Sequence, residues 1–345
     1  MPHRRIFRHL CLLLICLFPD RLLAVEPDLR SAAVRKFNDL VGLERASAAA
    51  FSAARLQALG KISETMPLPE EFRQIVDVAP AANQAGIEQA LALILFRYAP
   101  DGIILTPSSD GMRIEAHIMP VRVRPGQERE RLLASLQQPL WFDYYNRAIL
   151  LEKSALLDYD QAAEALLRGE TRETAREKLR RAAEALAASS SYIELLPELR
   201  RNTGQGHEEA ARLDGLAASL EELQQRAPEH YLIQAELGRL QLLRHHPLEA
   251  RRLMDLSLAS QDGFALAHDL RGVVLLALNL PSLALEDFNR AVSLQPRTPS
   301  FYENRALARK ILQMEEYMCR DLSLACSLGS CAGMKWAAGE GRCLD

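Results

Sequence analysis

Thiol chemistry is the first possibility this sequence raises. Four cysteines, Cys319, Cys326, Cys331 and Cys343, crowd into the final stretch MCRDLSLACSLGSCAGMKWAAGEGRC, and none lies between Cys16 and Cys319. Four thiolates suit either a structural zinc ion or two disulfides. Zinc sites are commonly built on paired C-x2-C knuckles, whereas here the intervening lengths are six, four and eleven residues. An even number of cysteines in an oxidising compartment reads as bridges. Disulfides are therefore expected, and no metal site is.

The N-terminus supplies the compartment. MPHRRIFRHLCLLLICLF carries Arg4, Arg5 and Arg8 ahead of an apolar run from Leu10 to Phe18. Basic residues followed by a short apolar run form the pattern of a secretory signal peptide. The run is too short for a span, which needs about 20 residues. Cleavage is expected after Ala24, in RLLAVEP. A lipoprotein reading at Cys16 fits less well, because Ile15 stands where a small residue belongs. Cleavage removes Cys11 and Cys16 and leaves four cysteines. It also removes four Arg and one Asp, a net of +3, so the formal charge moves from −3 to −6. That balance speaks against nucleic acid, which calls for a basic face. The mature chain is expected to be periplasmic or secreted, with no membrane span.

Other chemical signatures are incomplete in this sequence. His207 and Glu208 start a zinc-protease pattern, but Ala211 stands where its second histidine belongs. Gly204 and Gly206 start a dinucleotide fingerprint, but no strand precedes them and Glu209 replaces the third glycine. There is no Walker lysine loop and no G-x-S-x-G elbow. His245 and His246 read as surface residues of a turn, and Glu115 with His117 as ordinary strand patterning. The aromatics Trp141, Phe142, Tyr144 and Tyr145 could cradle a sugar or peptide, but packing is the simpler use. No catalytic residue and no cofactor is expected, and the chain does not read as an enzyme.

What positions the cysteines is a repeat. Segments starting at Tyr231, Ala265 and Pro299 align at a 34-residue spacing. Gly238, Gly272 and Ala306 coincide. So do Ala250, Ala284 and Met318, then Met254, Phe288 and Leu322, then Ser257, Ala291 and Ala325. Small residues let helices approach closely, a large one fills the space between pairs, and Pro296 stops the second helix. On these residues the C-terminal third resembles the tetratricopeptide repeat, in which each unit is a pair of antiparallel helices. The middle segment carries the pattern best, in Gly272, Ala284, Phe288, Ala291 and Pro296; Arg271 departs, since the family usually has leucine there. GHEEAARLDGLAASLEELQQRAP reads as one more amphipathic helix, a degenerate repeat with Leu216 at the small position. A stacked array of such units is an α-solenoid.

The helices then place the thiols. Cys319 and Cys326 lie seven apart, two turns along one helical face. Gly329 ends that helix, Ser330 can cap the next, and Cys331 opens it. If the two helices run antiparallel, Cys326 meets Cys331 at the turn and Cys319 meets Cys343 at the far end. Such bridges would fasten a capping helix at the open end of the array.

Ahead of the repeats the chain is expected to hold three parts: a signal over 1–24, a small α+β module over 25–138, and a helical region over 139–230. Repeats with the cysteine-rich cap follow over 231–345. In the module, residues 28–61 and the NQAGIEQALALILFRY stretch show helical spacing. GIILT and MRIEAHI flank the turn PSSDG as a β-hairpin, with Met112, Ile114, Ala116 and Ile118 alternating with polar residues. VRV would extend it. Helical patterns resume at Pro139 and, with Thr171 as N-cap, after residue 171; RRNTGQGHEE reads as a joint. The fold class is thus mostly α.

The resemblance also implies a function. In that family the first helix of each repeat lines a concave ligand surface. Carried over by position, that surface comprises Leu232, Ala235, Arg239, Leu242, Leu266, Asp269, Val273, Leu276, Glu303, Leu307 and Lys310. The lysine and asparagine set of the family's chaperone-tail clamps is absent, so a C-terminal carboxylate is not the expected ligand. A protein or peptide partner bound by an exported scaffold is expected. The alternative is a small-ligand receptor or enzyme with its site in residues 25–138.

Overall fold

The computed structural model describes residues 68, 70–77, 81–96, 103–107, 114–118, 134, 136–167, 172–199 and 207–343. The expected signal peptide, the helix over 28–61, the VRV strand, the hairpin turn, Thr171 and residues 200–206 of the joint lie outside them. Among the described residues the chain is predominantly helical. Helices α1 (Glu70–Asp77) and α2 (Ala81–Phe96) come first. Strands β1 (Ile103–Pro107) and β2 (Ile114–Ile118) follow and pair antiparallel, with Leu105 opposite Ala116. That pair alone does not establish the α+β module expected over 25–138.

Two long helices come next, α3 (Pro139–Leu167) and α4 (Arg172–Leu199). At about 1.5 Å per residue each runs roughly 40 Å. They pack as an antiparallel hairpin: Tyr144 faces Tyr192, and further along Ser190 Oγ donates to the buried Glu152 carboxylate at 2.6 Å. The far half of the hairpin has its own small core of alanines with Tyr159, Leu179 and Leu186. The near half joins a larger core. Phe72, Leu91 and Ile94 from α1 and α2 belong to that core, as do residues of the repeats.

Helix α5 (His207–Arg226) leads into three helix pairs: α6 (Tyr231–Leu243) with α7 (Pro247–Ser260), α8 (Ala265–Ala277) with α9 (Pro281–Leu294), and α10 (Pro299–Ile311) with α11 (Glu315–Ser327). A short helix α12 (Ala332–Gly339) ends the array. First helices start at 231, 265 and 299, the starts aligned in the sequence. The turn inside each pair repeats the same backbone. His245, Asn279 and Gln313 are left-handed, at φ 63°, 59° and 59°. Each residue after them closes a six-residue loop, as His246 N–H does on Gln241 O, Leu280 on Leu275 and Met314 on Arg309. This is the Schellman closure, which satisfies carbonyls that a helix end leaves unpaired. Gly329, at φ 101°, does the same between α11 and α12.

The aligned small and large residues are the interior of the stack. Ala250, Ala284 and Met318 are buried, as are Met254, Phe288 and Leu322. A Cβ on Gly272 would stand 2.5 Å from Phe288 Cε1, and one on Gly238 2.9 Å from Met254 Cε. At Gly272 the Phe288 ring leaves no room for a side chain, whereas at Gly238 the contact is the flexible end of Met254 and the third repeat carries Ala306. Ser257, aligned with Ala291 and Ala325, donates its hydroxyl to Tyr231 O at 2.8 Å.

Candidate partner-binding surface

The four C-terminal thiols form two disulfides, Cys319–Cys343 and Cys326–Cys331, with Cα atoms 5.3 Å and 4.0 Å apart. This is the pairing expected of antiparallel helices. Cys331 is the N-cap residue of α12 and makes no side-chain cap. The capping role expected of Ser330 is not taken up; its hydroxyl donates instead to Glu303 Oε1 of α10, at 2.7 Å. Among the described residues no group of three or more His, Cys, Asp or Glu side chains is placed to hold a metal ion.

A second repeated feature escapes the sequence reading. Arg271, which departs from the family pattern, clasps the buried Asp287 with two bonds of 2.7 Å and reaches back to Asp255 of the preceding repeat at 2.9 Å. One period later Arg305 clasps Asp321 at 3.0 and 2.7 Å and reaches Asn289 at 3.1 Å. Arg309 adds a second cation on Asp321, at 2.6 Å. His268 also bonds Asp287, at 3.1 Å. Burial pushes the Asp287 carboxyl up, but the bonds from Arg271 and His268 outweigh it and hold the group below its ordinary value. The clasps join the two helices of one repeat, and the bonds to Asp255 and Asn289 tie it to the preceding one. A cleft of about 210 Å3 beside them is lined by Leu275, Leu283, Glu286 and by Arg251, Asp255, Arg271 and Asp287, of which the last four are engaged with one another.

The residues carried over as a concave surface fall into two groups. Those in the first half of each helix are mostly enclosed. Leu232 and Ala235 are completely buried, and Leu266 and Asp269 are buried too. Leu232, Ala235 and Leu266 belong to the core that holds Tyr144, Tyr145 and Tyr192 of the α3–α4 hairpin. The hairpin is tied to the array at several points. Tyr144 packs on Phe264, and Arg147 stacks its guanidinium 5.5 Å from the same ring. Gln295 donates to Asp143 at 2.8 Å. Arg239 is engaged as well, bonding Glu236 at 2.9 Å and the Leu199 carbonyl at the end of α4 at 3.2 Å. The aromatic cluster at 141–145 is thus part of the packing rather than a cradle.

Asp269 accepts two bonds from the Asn304 amide, at 2.9 and 3.0 Å. Burial pushes its carboxyl up to about 7 even against those bonds. His230 is enclosed too. Its Nδ1 accepts the Ile233 N–H and caps α6, its ring lies edge-on to Tyr192, and burial lowers its pKa to about 4.

The second half of the helices stays open toward the C-terminal end. Leu242, Val273 and Leu276 are half-buried. Leu307 and Ile311, one turn apart on α10, are 49% and 48% exposed, and Trp336 of α12 is 42% exposed. The Lys310 ammonium sits 4.1 Å from the centre of the Trp336 ring. Leu307 and Lys310 stand one repeat after Val273 and Leu276, so the apolar side chains form a strip across α8 and α10 that ends at α12.

No protein-family model matches the chain, and no curated protein does. Among solved structures, one described as "Crystal structure of MamA protein" is 13% identical, covering 51% of this chain and 92% of its own, with a TM-score of 0.33. Another, described as "MamA RS-1 ArsTM double mutant", is 16% identical, covering 50% and 93%, with a TM-score of 0.32. Likeness at that level carries no inference about function. The chain's own geometry is sufficient for the class: helix pairs recurring at one fixed period, with the same turn, the same buried positions and a disulfide-fastened end, make this a helical-repeat protein.

Proposed function

We propose that the protein is an exported, non-enzymatic scaffold of the tetratricopeptide type that binds a protein or peptide partner at the C-terminal end of its array. The observation that carries this reading is the strip formed by Val273, Leu276, Leu307, Ile311 and Trp336. Leu307, Ile311 and Trp336 are exposed and Val273 and Leu276 half-buried beside them; apolar side chains grouped at the surface of a stable fold are a common mark of an interaction site. Repeat arrays offer extended surfaces suited to such contacts. Lys310 adds a charge at its edge, so the partner segment is amphipathic rather than wholly apolar. Leu232, Ala235, Leu266 and Asp269 take no part, since the chain's own hairpin and neighbouring helices cover them.

The disulfides and the signal-like N-terminus support an oxidising, extracytoplasmic location. Among the described residues no helix is long and apolar enough to cross a membrane. A ligand or enzyme site in residues 25–138 is not part of this proposal. The test is affinity capture of the mature protein from its host's envelope fraction. A specific partner should be recovered by the wild type and by Leu248→Asp, an exposed change on α7. It should be lost with Leu307→Asp combined with Lys310→Glu. Equal recovery by all three would refute the assignment of the strip.

A further inference from the structure

Helix α12 is poorly anchored by packing. It has eight residues, and Ala337 alone among them is completely buried. Helices that short are unstable in isolation. By contrast α9 buries Ala284, Asp287, Phe288, Ala291 and Val292. What α12 has instead is a covalent tie at each end, both to α11: Cys331, just before it, to Cys326, and Cys343, just after it, to Cys319. All four cysteine residues are half-buried rather than sealed in the core, and access of this kind is what reaction with a thiol requires.

The cap also fixes two side chains of α10. Ser330 holds Glu303, and Trp336 lies under Lys310. Behind it, Ala306, Met318 and Leu322 share a small cluster with Ala337.

We propose that α12 is a redox-released wall of the binding strip, held by its disulfides and freed when they are reduced. The reductant is a dithiol. Its thiolate attacks one cysteine sulfur and breaks the S–S bond. Its second thiol then resolves the mixed disulfide. Two electrons and two protons pass to each cysteine pair, and the dithiol leaves as its own disulfide. Release takes Trp336 away from Lys310, frees Glu303 and uncovers Met318 and Leu322. The strip then loses its end wall. The consequence for binding rests on the proposed scaffold role, but the release itself does not.

Hydrogen exchange of the full-length protein, oxidised and after dithiothreitol, tests it without a partner. Amides of 332–339 should exchange at least 10-fold faster after reduction, while α8 and α9 keep their protection. Cys319→Ser with Cys343→Ser, which leaves the tie at the start of α12, should give an intermediate rate that dithiothreitol raises further. Unchanged protection of 332–339 in the reduced protein would overturn the proposal. So would simultaneous loss of protection in α8 and α9, because the bridges would then support the whole array rather than a wall. Failure of the capture experiment would sink the binding role and leave the exchange result standing.

Discussion

Replacing Asp269 by Asn should stabilise the protein at pH 8 and leave it nearly unchanged at pH 4. Burial raises this carboxyl from an ordinary 3.8 to about 7, against the opposing bonds from Asn304. Between those values the folded protein keeps a proton that the unfolded chain has already lost. Stability from this group therefore falls as pH rises from about 4 to 7, and stays low above 7. A difference of about 3 in pKa, at 1.36 kcal/mol each, comes to about 4 kcal/mol, and relaxation around the ionised group brings the expected effect to about 2–4 kcal/mol. Asparagine keeps an oxygen for the Asn304 amide and carries no charge to desolvate. His230 works in the opposite sense. Burial lowers its pKa from 6.5 to about 4, so its contribution is lost as pH falls through that window, by about 3 kcal/mol. In the wild type these two slopes oppose one another; in D269N the His230 slope is no longer offset by Asp269. Urea unfolding of the oxidised protein from pH 4 to 8 reads both. The gap between variant and wild type should open from near zero at pH 4 to its full size by pH 8. A gap that does not change with pH would refute the assignment of a buried, proton-holding carboxyl.

Two more outcomes follow from the packing. Phe288 is fully buried against Gly272, so Phe288→Ala should cost about 3–5 kcal/mol in chemical unfolding; a loss under about 1 kcal/mol would mean the space it fills is not a core. Asp321 is buried between Arg305 and Arg309. Asp321→Ala should cost about 2–4 kcal/mol by leaving two half-buried cations without their counter-charge, and adding Arg305→Leu and Arg309→Leu should recover much of that loss; strictly additive losses in a mutant cycle would contradict the coupling.

The repeats were legible because their physics is local. Gly272 and Phe288 are complementary in size, and that complementarity recurs with each helix pair as a pattern visible in one chain. The disulfide pairing followed from helical spacing and one turn. The closed half of the concave face was not legible. Leu232, Ala235 and Leu266 are covered from α3 and α4, and no periodicity at 231–266 announces what a distant hairpin will cover. The Arg271–Asp287 and Arg305–Asp321 pairs did leave a trace, since both members recur one period later. Arg271 instead read as a departure from the family, because its partner lies on the following helix, well outside one helical turn. Ser330 fits a capping position by type, but Glu303, brought close by the fold, offers its hydroxyl a charged acceptor.

The most direct measurement is site-specific photo-crosslinking in the native host, with a benzophenone side chain placed at Ile311 and, as a control, at Leu248. Ile311 lies in the open strip of α10, and Leu248 is 73% exposed on α7. The account predicts a discrete crosslinked protein from position 311 and none from 248. Crosslinking from 248 with none from 311 would contradict it and move the interaction surface off the C-terminal strip.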